Sequence, residues 1–448
     1  MDSESVHTNE LGTKSQVLDS ILTHRVWGLP IFLGVMWSVF HLSFSLSEAP
    51  MTWMEFGFEK LGVFVSSIVP AGVLRSLLVD GIIGGVGGVL SFVPIIMLLF
   101  LGISILENCG YMARAAFVAD RFMSKIGLPG KAFVPLLLGF GCGVPAVIAT
   151  RTLSCKRDRL TTMLMIPLMS CGARLPVYAL FIAAFFKPAV GSYVLFSLYL
   201  LGIIIAILTA KVFQQFVFRG SFIPSSVELP SYKMPTVKSV LIPMWERAWM
   251  FIRKAGTVLL AGSVIIWALC NFPANVSYSR DFVLEKEQIA ASAVVAKEQK
   301  IQQINREMEK ERIQGSFAGK MGVFLEDLLR PIGLGDWRLG VALFSGFAAK
   351  EVVVSTLGVL FSLDGKSSGG ATSLRSTLRA DPFFTPLSVL SFLIFVLLYL
   401  PCLALLGVIG RETKSIGWPV FTAVYLTGLA WVVSFVVYQG GRLLGLGA

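Results

Sequence analysis

The stretch GFGCGVPAVIATRTL, residues Gly139 to Leu153, lies between two long apolar runs and interrupts what would otherwise be a membrane helix. It places three glycines, a proline and the thiol of Cys142 where a spanning helix would continue. A non-helical backbone is tolerated at membrane depth only where it is buried in protein or lines a cavity. The stretch therefore predicts a helix break, with a thiol at the break, inside a membrane protein.

The composition also indicates a membrane protein, because the 448 residues are 55% hydrophobic and 15% charged, with a mean hydropathy of +0.76. All three histidines lie at or before His41, which excludes an imidazole-rich metal site deeper in the chain. The six cysteines form no CxxC pair, which argues against a secreted disulfide framework. The net charge of +11 is carried by polar loops, so it indicates membrane orientation rather than a nucleic-acid partner.

Runs of about 20 apolar residues predict the membrane helices. The Lys/Arg-rich segments 111–131, 151–159 and 219–254 are expected on the cytoplasmic side. Residues 132–150 then begin and end on that side, which predicts a re-entrant segment. The predicted fold is an all-α polytopic membrane protein with about eight transmembrane helices and both termini in the cytoplasm. The eight predicted spans are 29–46, 82–106, 160–186, 190–217, 255–272, 338–362, 386–409 and 418–438.

Charge divides the chain into a tail, two membrane halves and an insert. The insert, at 277–316, carries seven Lys/Arg and seven Asp/Glu, which is typical of a charged helix outside the membrane. The predicted regions are a cytoplasmic tail at 1–25, a first membrane half at 26–275 with its core at 132–186, an extracytoplasmic insert region at 276–337 and a second membrane half at 338–448.

One internal similarity links the two halves. VPLLLGF at 134–140 and VALFSGF at 341–347 match at Val, Leu, Gly and Phe. Transporters often place their binding sites where duplicated, broken helices meet near the middle of the membrane. The similarity therefore suggests that each half contains one copy of a broken-helix repeat.

Three cysteines lie beside glycine or proline: Cys142 in GFGCGVP, Cys171 in PLMSCGARLP and Cys402 in LYLPCLALLG. Soft sulfur donors favour Cu(I), Zn(II) and iron over magnesium or calcium. We therefore expect these thiols, with the thioether of Met169, to bind a transition metal. Buried cysteine and methionine are also ordinary packing residues, and that alternative stays open.

Acidic residues in apolar contexts are the next metal-ligand candidates: Glu107, Glu351 and Glu412. An ionisable group within a span costs a few kcal/mol, so it requires a function or a partner. Glu351 has apolar residues on both sides and is the strongest of the three. Glu107 and Glu412 each have an arginine nearby in the sequence, Arg114 and Arg411, that could form an ion pair with the acid.

The backbone at the predicted helix breaks consists of residues that interrupt or adjoin helices. Arg174, between Cys171 and Pro176, is expected to bind a freed helix carbonyl or an anion. The full set is Gly139, Gly141, Gly143, Pro145, Arg174, Pro176 and Pro401.

The sequence GKS at 365–367 resembles the end of a phosphate-binding loop, but the pattern requires a glycine five positions before the one in GK. Leu360 stands there. We therefore predict no GTP or other nucleotide site in the chain, and a transporter rather than an enzyme.

Taken together, these motifs resemble one family. GFGCGVPAVIATRTL, PLMSCGARLPVYALF, ILENCGYMARAAFVADRFM, FAAKEVVVSTLG and LYLPCLAL are similar, in this order, to the membrane domain of ferrous iron transport protein B, FeoB. The resemblance runs from about Asp19 to the C-terminus. It implies a bacterial inner-membrane importer with Fe2+ as the transported substrate, two "Gate" repeats, and gate cysteines that handle iron and correspond to Cys142, Cys171 and Cys402.

The resemblance also bears on partners. The family begins with a cytoplasmic GTP-binding domain that is missing here, which implies either a separate GTPase on another chain or a truncated relative. A small FeoA-like accessory protein and a homo-oligomer are further partners that the family suggests, besides the lipid bilayer. Gly143, Gly172 and Leu405 stand where the family usually has Asn, Ser and Thr, so three oxygen ligands are lost.

Three other functions stay open at this point. The first is transport of another divalent metal, Mn2+ or Zn2+, on the same scaffold. The second is a gate-type nucleoside or small-molecule carrier, in which Cys142 is a packing residue. The third is a membrane scaffold for a partner GTPase without conduction of its own.

Overall fold

The computed structural model of the chain describes residues 19–24, 27–70, 72–84, 87, 90–91, 93–217, 232, 234–273, 304, 307–308, 311–347, 350, 352–362 and 371–445. Within these ranges every regular element is a helix, which confirms the predicted all-α class. The α-helices of seven or more residues are α1 (Gly28–Ile68), α2 (Val93–Asn108), α3 (Tyr111–Ile126), α4 (Phe133–Gly141), α5 (Gly143–Ala149), α6 (Lys156–Met165), α7 (Leu175–Phe185), α8 (Pro188–Val212), α9 (Val237–Asn271), α10 (Phe317–Leu329), α11 (Trp337–Ser345), α12 (Val352–Ser362), α13 (Ala371–Ala380), α14 (Pro386–Leu398), α15 (Leu403–Thr413) and α16 (Gly417–Leu443).

The number of membrane spans differs from the prediction. In the described part of the chain, five helical stretches are long and apolar enough to cross a membrane, or six if α2 and α3, which meet at 84°, count as one span. The predicted count of about eight is therefore not confirmed. Two predicted spans are parts of other elements, since 255–272 is the second half of α9 and 82–106 becomes regular α-helix only at Val93. The five stretches are Pro30–Ile68, Lys156–Phe185, Ala189–Val217, Pro386–Thr413 and Gly417–Leu443.

Helix α1 is the longest element, with 41 residues and a length of roughly 60 Å. It therefore extends well beyond a hydrocarbon core of about 30 Å. The segment before α1 is held by Arg114 of α3. The buried guanidinium of Arg114 pairs with Asp19 at 2.6 Å and lies 3.7 Å from the centre of the Tyr232 ring. The segment that enters α1 and the amphipathic helix α3 thus lie at the same end of the bundle.

The first broken pair, α4 and α5, matches the predicted re-entrant segment. Cys142 alone separates the two helices, in an extended conformation with φ −151° and ψ 129°. The short turns at 130–132, before α4, and at 150–152, after α5, both contact α6. The pair therefore enters and leaves the bundle at one end, as the sequence predicts.

The second broken pair, α11 and α12, corrects the prediction of a full span over 338–362. The guanidinium of Arg338, at the start of the pair, lies 4.1 Å from the centre of the Phe361 ring at its end. The chain thus turns back instead of crossing. The turn is tight because Gly346 has no side chain, and a Cβ there would overlap Val353 and the hydroxyl of Tyr399.

The two pairs enter the bundle from opposite ends. Arg151, after the first pair, contacts Glu412 at the end of α15, and we call this the basic end. Helix α16 runs from that end to the other, where Gln439 donates to the carbonyl of Pro331 at 2.7 Å. Asp19 and Gln439 therefore lie at opposite ends. The cytoplasmic location of both termini remains a prediction from the sequence, since the outermost residues at each end lie outside the described ranges.

An aromatic cluster joins the two repeats. The ring of Phe181 in α7 lies 4.7 Å from that of Phe392 in α14, and both side chains are fully buried. Such pairs add about 0.5–1.5 kcal/mol beyond the apolar area that they bury. The insert at 277–316 lies largely outside the described residues, and the predicted region boundaries remain predictions.

Candidate functional site

A cavity of about 1600 Å³ lies between α1 and the breaks of the two repeats. It brings together side chains from sequence segments that are far apart, and most of the predicted site residues line it. These are Cys142, Cys171, Cys402, Met169, Gly139, Gly141, Gly143, Arg174, Pro176 and Pro401.

Four predicted residues lie elsewhere or cannot be placed. Glu107 is exposed near the end of α2, and Pro145 is buried within α5, and neither lines the cavity. Glu412 lies at the basic end. Glu351 falls outside the described residues, so its role as a ligand remains a prediction from the sequence.

Glu412 has arginine partners, although not the one that is adjacent in the sequence. Its carboxylate accepts from Arg151 at 2.5 and 2.9 Å and from Arg159 at 2.7 Å, and its side chain is 5% exposed. Arg114, the expected partner of Glu107, instead pairs with Asp19. The carboxylate of Glu412 is thus engaged in an ion-pair cluster that connects the first repeat to the second.

Glycines make close packing possible at the Cys142 break. A Cβ on Gly141 would lie 2.9 Å from the ring of Phe40 in α1. A Cβ on Gly143 would lie 2.9 Å from a methyl group of Leu405 in α15. Gly143 and Leu405 are two of the departures from the family pattern, and the structure shows that they pack against each other. The Cys142 break is therefore held between α1 and the second repeat.

The Cys171 break separates α6 from α7. After a single 3₁₀ turn at Ile166–Leu168 the chain is extended at Met169 and Cys171. Arg174, which is 2% exposed, donates to the carbonyls of Pro167 at 3.1 Å and Met169 at 3.1 Å. Arg174 thus binds two backbone carbonyls at this break, and its role in the gate remains a prediction.

The Cys402 break separates α14 from α15, and Cys402 is the residue that precedes the first turn of α15. Two contacts from the second broken pair hold this break. Lys350 donates to the carbonyl of Leu400 at 2.7 Å, and the amide of Leu403 donates to the carbonyl of Phe347 at 2.9 Å. Lys350, which is 3% exposed and lines the cavity, was not among the predicted site residues.

Three carboxylates of α1 also line the cavity: Glu48, Glu55 and Glu59. Their spacing of seven and four residues places them on one face of the helix, over roughly 16 Å of its length. They were not among the predicted site residues, although this spacing could have identified them from the sequence. They give one wall of the cavity a negative potential.

The thiols do not form a closed metal site. Among the residues that the structure describes, no three His, Cys, Asp or Glu side chains are close enough together to hold a metal ion. The cavity thus offers single sulfur donors at successive breaks, each with its own backbone environment.

This architecture, two broken-helix repeats inserted from opposite ends around a sulfur-lined cavity, defines a gate-type polytopic membrane protein. The sequence agrees, since it matches the Gate family model, described as "Nucleoside recognition", over residues 89–185 and 252–416. It also matches the model "Ferrous iron transport protein B C terminus" over residues 195–247. The chain belongs to the FeoB family.

Curated relatives support this assignment. The chain is 44% identical to a Fe(2+) transport protein A/Fe(2+) transporter FeoB fusion protein of Porphyromonas gingivalis, over 97% of this chain and 52% of the relative. It is 41% identical to the Fe(2+) transporter FeoB of Campylobacter jejuni, over 98% of this chain and 67% of the relative. It is 39% identical to the Fe(2+) transporter FeoB of Helicobacter pylori, over 95% of this chain and 66% of the relative. The chain thus spans about half to two thirds of these relatives. No solved structure gives a significant match.

Proposed function

We propose that this chain carries Fe2+ across the bacterial inner membrane through the cavity between its two repeats. One observation carries the proposal: Cys142, Cys171 and Cys402, from three separate helix breaks, line a single cavity together with Met169. Sulfur ligands suit iron better than magnesium or calcium. The names of the relatives, Fe(2+) transporters, support the same cargo.

The direction of transport follows from charge. The basic end is the cytoplasmic end by the positive-inside rule, so Asp19 lies towards the cytoplasm and Gln439 towards the outside. The cavity lining extends along α1 to Ser66, away from the basic end. In this orientation the cavity receives ions from outside, as uptake requires.

The carboxylates and the thiols have different tasks in this scheme. Glu48, Glu55 and Glu59 attract divalent cations into the cavity and raise their local concentration. Single thiols then bind Fe2+ in turn, and Glu351 completes the relay as an oxygen ligand. Because conduction requires sites that release their ion, separate donors suit transport better than a closed cage.

Further components of the system are proposed from one relative and from the sequence resemblance. A FeoA-like protein is a proposed partner, because one relative is a fusion of Fe(2+) transport protein A with FeoB. A separate cytoplasmic GTPase is proposed as the source of regulation, and a homo-oligomer as the assembled form. Both rest on the sequence resemblance.

Anaerobic uptake of radioactive Fe2+ into liposomes tests the proposal. Cys142→Ser, Cys171→Ser and Cys402→Ser should each reduce uptake strongly, because a hydroxyl is a much poorer ligand for iron than a thiolate. Cys155→Ser is the matched control, since Cys155 is exposed and lies outside the cavity lining. Equal uptake by all four variants and the unaltered chain would contradict the role of the thiols.

Competition distinguishes the alternatives. Excess Mn2+ should inhibit Fe2+ uptake weakly, whereas a broad divalent-metal carrier would accept Mn2+ and Fe2+ equally. Because thiols bind Zn2+ tightly, Zn2+ is compared by its own uptake and not by its inhibition of Fe2+ uptake. A nucleoside should have no effect. The description of the Gate family as "Nucleoside recognition" makes this last comparison necessary.

A further inference from the structure

The breaks in α6–α7 and α14–α15 release backbone carbonyls from the helix ladder. The last carbonyls of a helix have no partner within it and must find one elsewhere. The same holds for carbonyls in the connecting segments. At the first break Pro167 lies in the 3₁₀ turn and Met169 directly after it, and at the second break Leu400 lies between α14 and α15. In a membrane interior such groups are costly to leave unpaired.

At both breaks a buried cationic side chain donates hydrogen bonds to these carbonyls. Arg174 donates to Pro167 and Met169, each at 3.1 Å, and Lys350 donates to Leu400 at 2.7 Å. The two cations are 2% and 3% exposed, and both line the cavity. The ammonium group of Lys350 also lies 3.1 Å from the centre of the Tyr399 ring. The two cations differ in their sequence positions. Arg174 directly follows the break that it contacts, whereas Lys350 lies in the second broken pair, about 50 residues before the Cys402 break.

Free carbonyls at such breaks are themselves cation ligands. Unwound helix backbone coordinates Na+ in other transporters, and carbonyl and carboxylate oxygens are the ligands that Ca2+, Mg2+ and Mn2+ prefer. Each break in this chain therefore contains two kinds of donor, backbone oxygen and the sulfur of Cys171 or Cys402. The protein's own cations occupy the carbonyl oxygens of Pro167, Met169 and Leu400.

We propose that Arg174 and Lys350 determine the ion specificity of the cavity by occupying carbonyl oxygens that would otherwise bind hard cations. This inference rests on the proposed function, because it concerns which ions the same cavity accepts. Both residues are positioning residues with respect to the thiols. A purely structural role, in which the cations only stabilise the broken backbone, makes a different prediction: their removal would then weaken the binding of every ion in proportion.

The test replaces Lys350 by Met, which has a similar length but neither charge nor donor, and Lys350→Arg is the matched control that keeps both. Uptake of Fe2+, Mn2+ and Ca2+ is measured separately in liposomes that hold the full chain. In Lys350→Met the ratio of Mn2+ or Ca2+ uptake to Fe2+ uptake should rise roughly tenfold, which corresponds to about 1.4 kcal/mol. In Lys350→Arg the ratio should stay near that of the unaltered chain. A proportional fall for all three ions in Lys350→Met would overturn the inference.

Arg174→Met, with Arg174→Lys as its control, provides a second and independent variant in case the first fails to assemble. Equilibrium binding of radioactive Ca2+ to the detergent-purified chain provides a second readout that needs no transport. Either Met variant should bind Ca2+ roughly tenfold more tightly than the unaltered chain. Unchanged Ca2+ binding in both would overturn the inference. If the unaltered chain takes up no Fe2+, the proposed function fails, and Ca2+ binding still decides the role of the two cations.

Discussion

Replacement of Glu412 by Gln tests the ion-pair cluster that joins the two repeats. Gln keeps the shape and one acceptor but removes the charge that holds Arg151 and Arg159. Arg151 is 50% exposed, so its pair with Glu412 resembles a surface pair and contributes up to about 1 kcal/mol. Arg159 is 29% exposed and Glu412 is 5% exposed, so this pair is better shielded and contributes about 1–2 kcal/mol. The total expected loss is about 1–3 kcal/mol.

The assay is the free energy of unfolding of the purified chain in mixed micelles, followed by circular dichroism during a titration with denaturing detergent. Double-mutant cycles separate the two pairs. The coupling energy of Glu412 with Arg159, from Arg159→Met, should exceed that with Arg151, from Arg151→Met. Glu326→Gln is the matched control, because Glu326 forms only a 3.6 Å pair with Arg330, which is 69% exposed. That change should cost less than about 0.5 kcal/mol.

The same variant separates a structural role of Glu412 from the predicted role as an iron ligand. Since three hydrogen bonds from arginine engage the carboxylate, Glu412→Gln should leave equilibrium Fe2+ binding unchanged while it lowers stability. A loss of Fe2+ affinity at unchanged stability would refute the reasoning. So would a coupling energy for Arg151 larger than that for Arg159.

Three further outcomes follow from the geometry. Gly202→Ala should destabilise the protein by about 1–3 kcal/mol, because the added Cβ would lie 2.8 Å from the carbonyl oxygen of Leu168. Gly34→Ala is the control, since a Cβ at Gly34 would have no heavy atom within 4 Å and should not lower stability. Unfolding titrations compare the free energies of unfolding of the two variants. Hydrogen bonding from arginine lowers the pKa of Asp19 below its ordinary value of 3.8, so the ion pair stabilises the fold above that pH and is lost as the pH falls through the lowered pKa. Asp19→Asn should therefore cost about 1 kcal/mol at pH 7 and nothing in strong acid, and an equal cost at both pH values would contradict this. Glu55→Gln should slow Fe2+ uptake at low ionic strength and make uptake less dependent on salt, since screening already weakens the attraction of a carboxylate, and an unchanged salt dependence would count against it.

The thiolate ligands predict a further dependence on pH. A thiol must lose its proton to bind a metal, so Fe2+ uptake should weaken as the medium becomes more acid. Uptake measured between about pH 5 and 7.5 checks this, with Cys155→Ser as the control that should follow the unaltered chain. A flat profile would argue against thiolate coordination.

The sequence determined the features that depend on local chemistry. Glycine and proline cannot continue a buried helix without cost, so the breaks at Cys142, Cys171 and Cys402 were readable from residue types alone. Apolar composition fixed the membrane class for the same reason, since burial in lipid requires it over each whole span. The VPLLLGF and VALFSGF motifs also suggested one broken-helix repeat in each half of the chain.

Only the tertiary structure decided which residues contact each helix break. Sequence spacing could not show that α12 folds back beside α11, because a largely apolar segment of 25 residues has the same pattern whether it crosses the membrane or turns back within it. The contact of Arg338 with Phe361 shows that the chain turns back. Nor could sequence spacing show that Glu412 pairs with Arg151 and Arg159, since ion pairs depend on distance in space and not along the chain. Lys350 reaches the carbonyl of Leu400 only because the second pair turns back beside the Cys402 break.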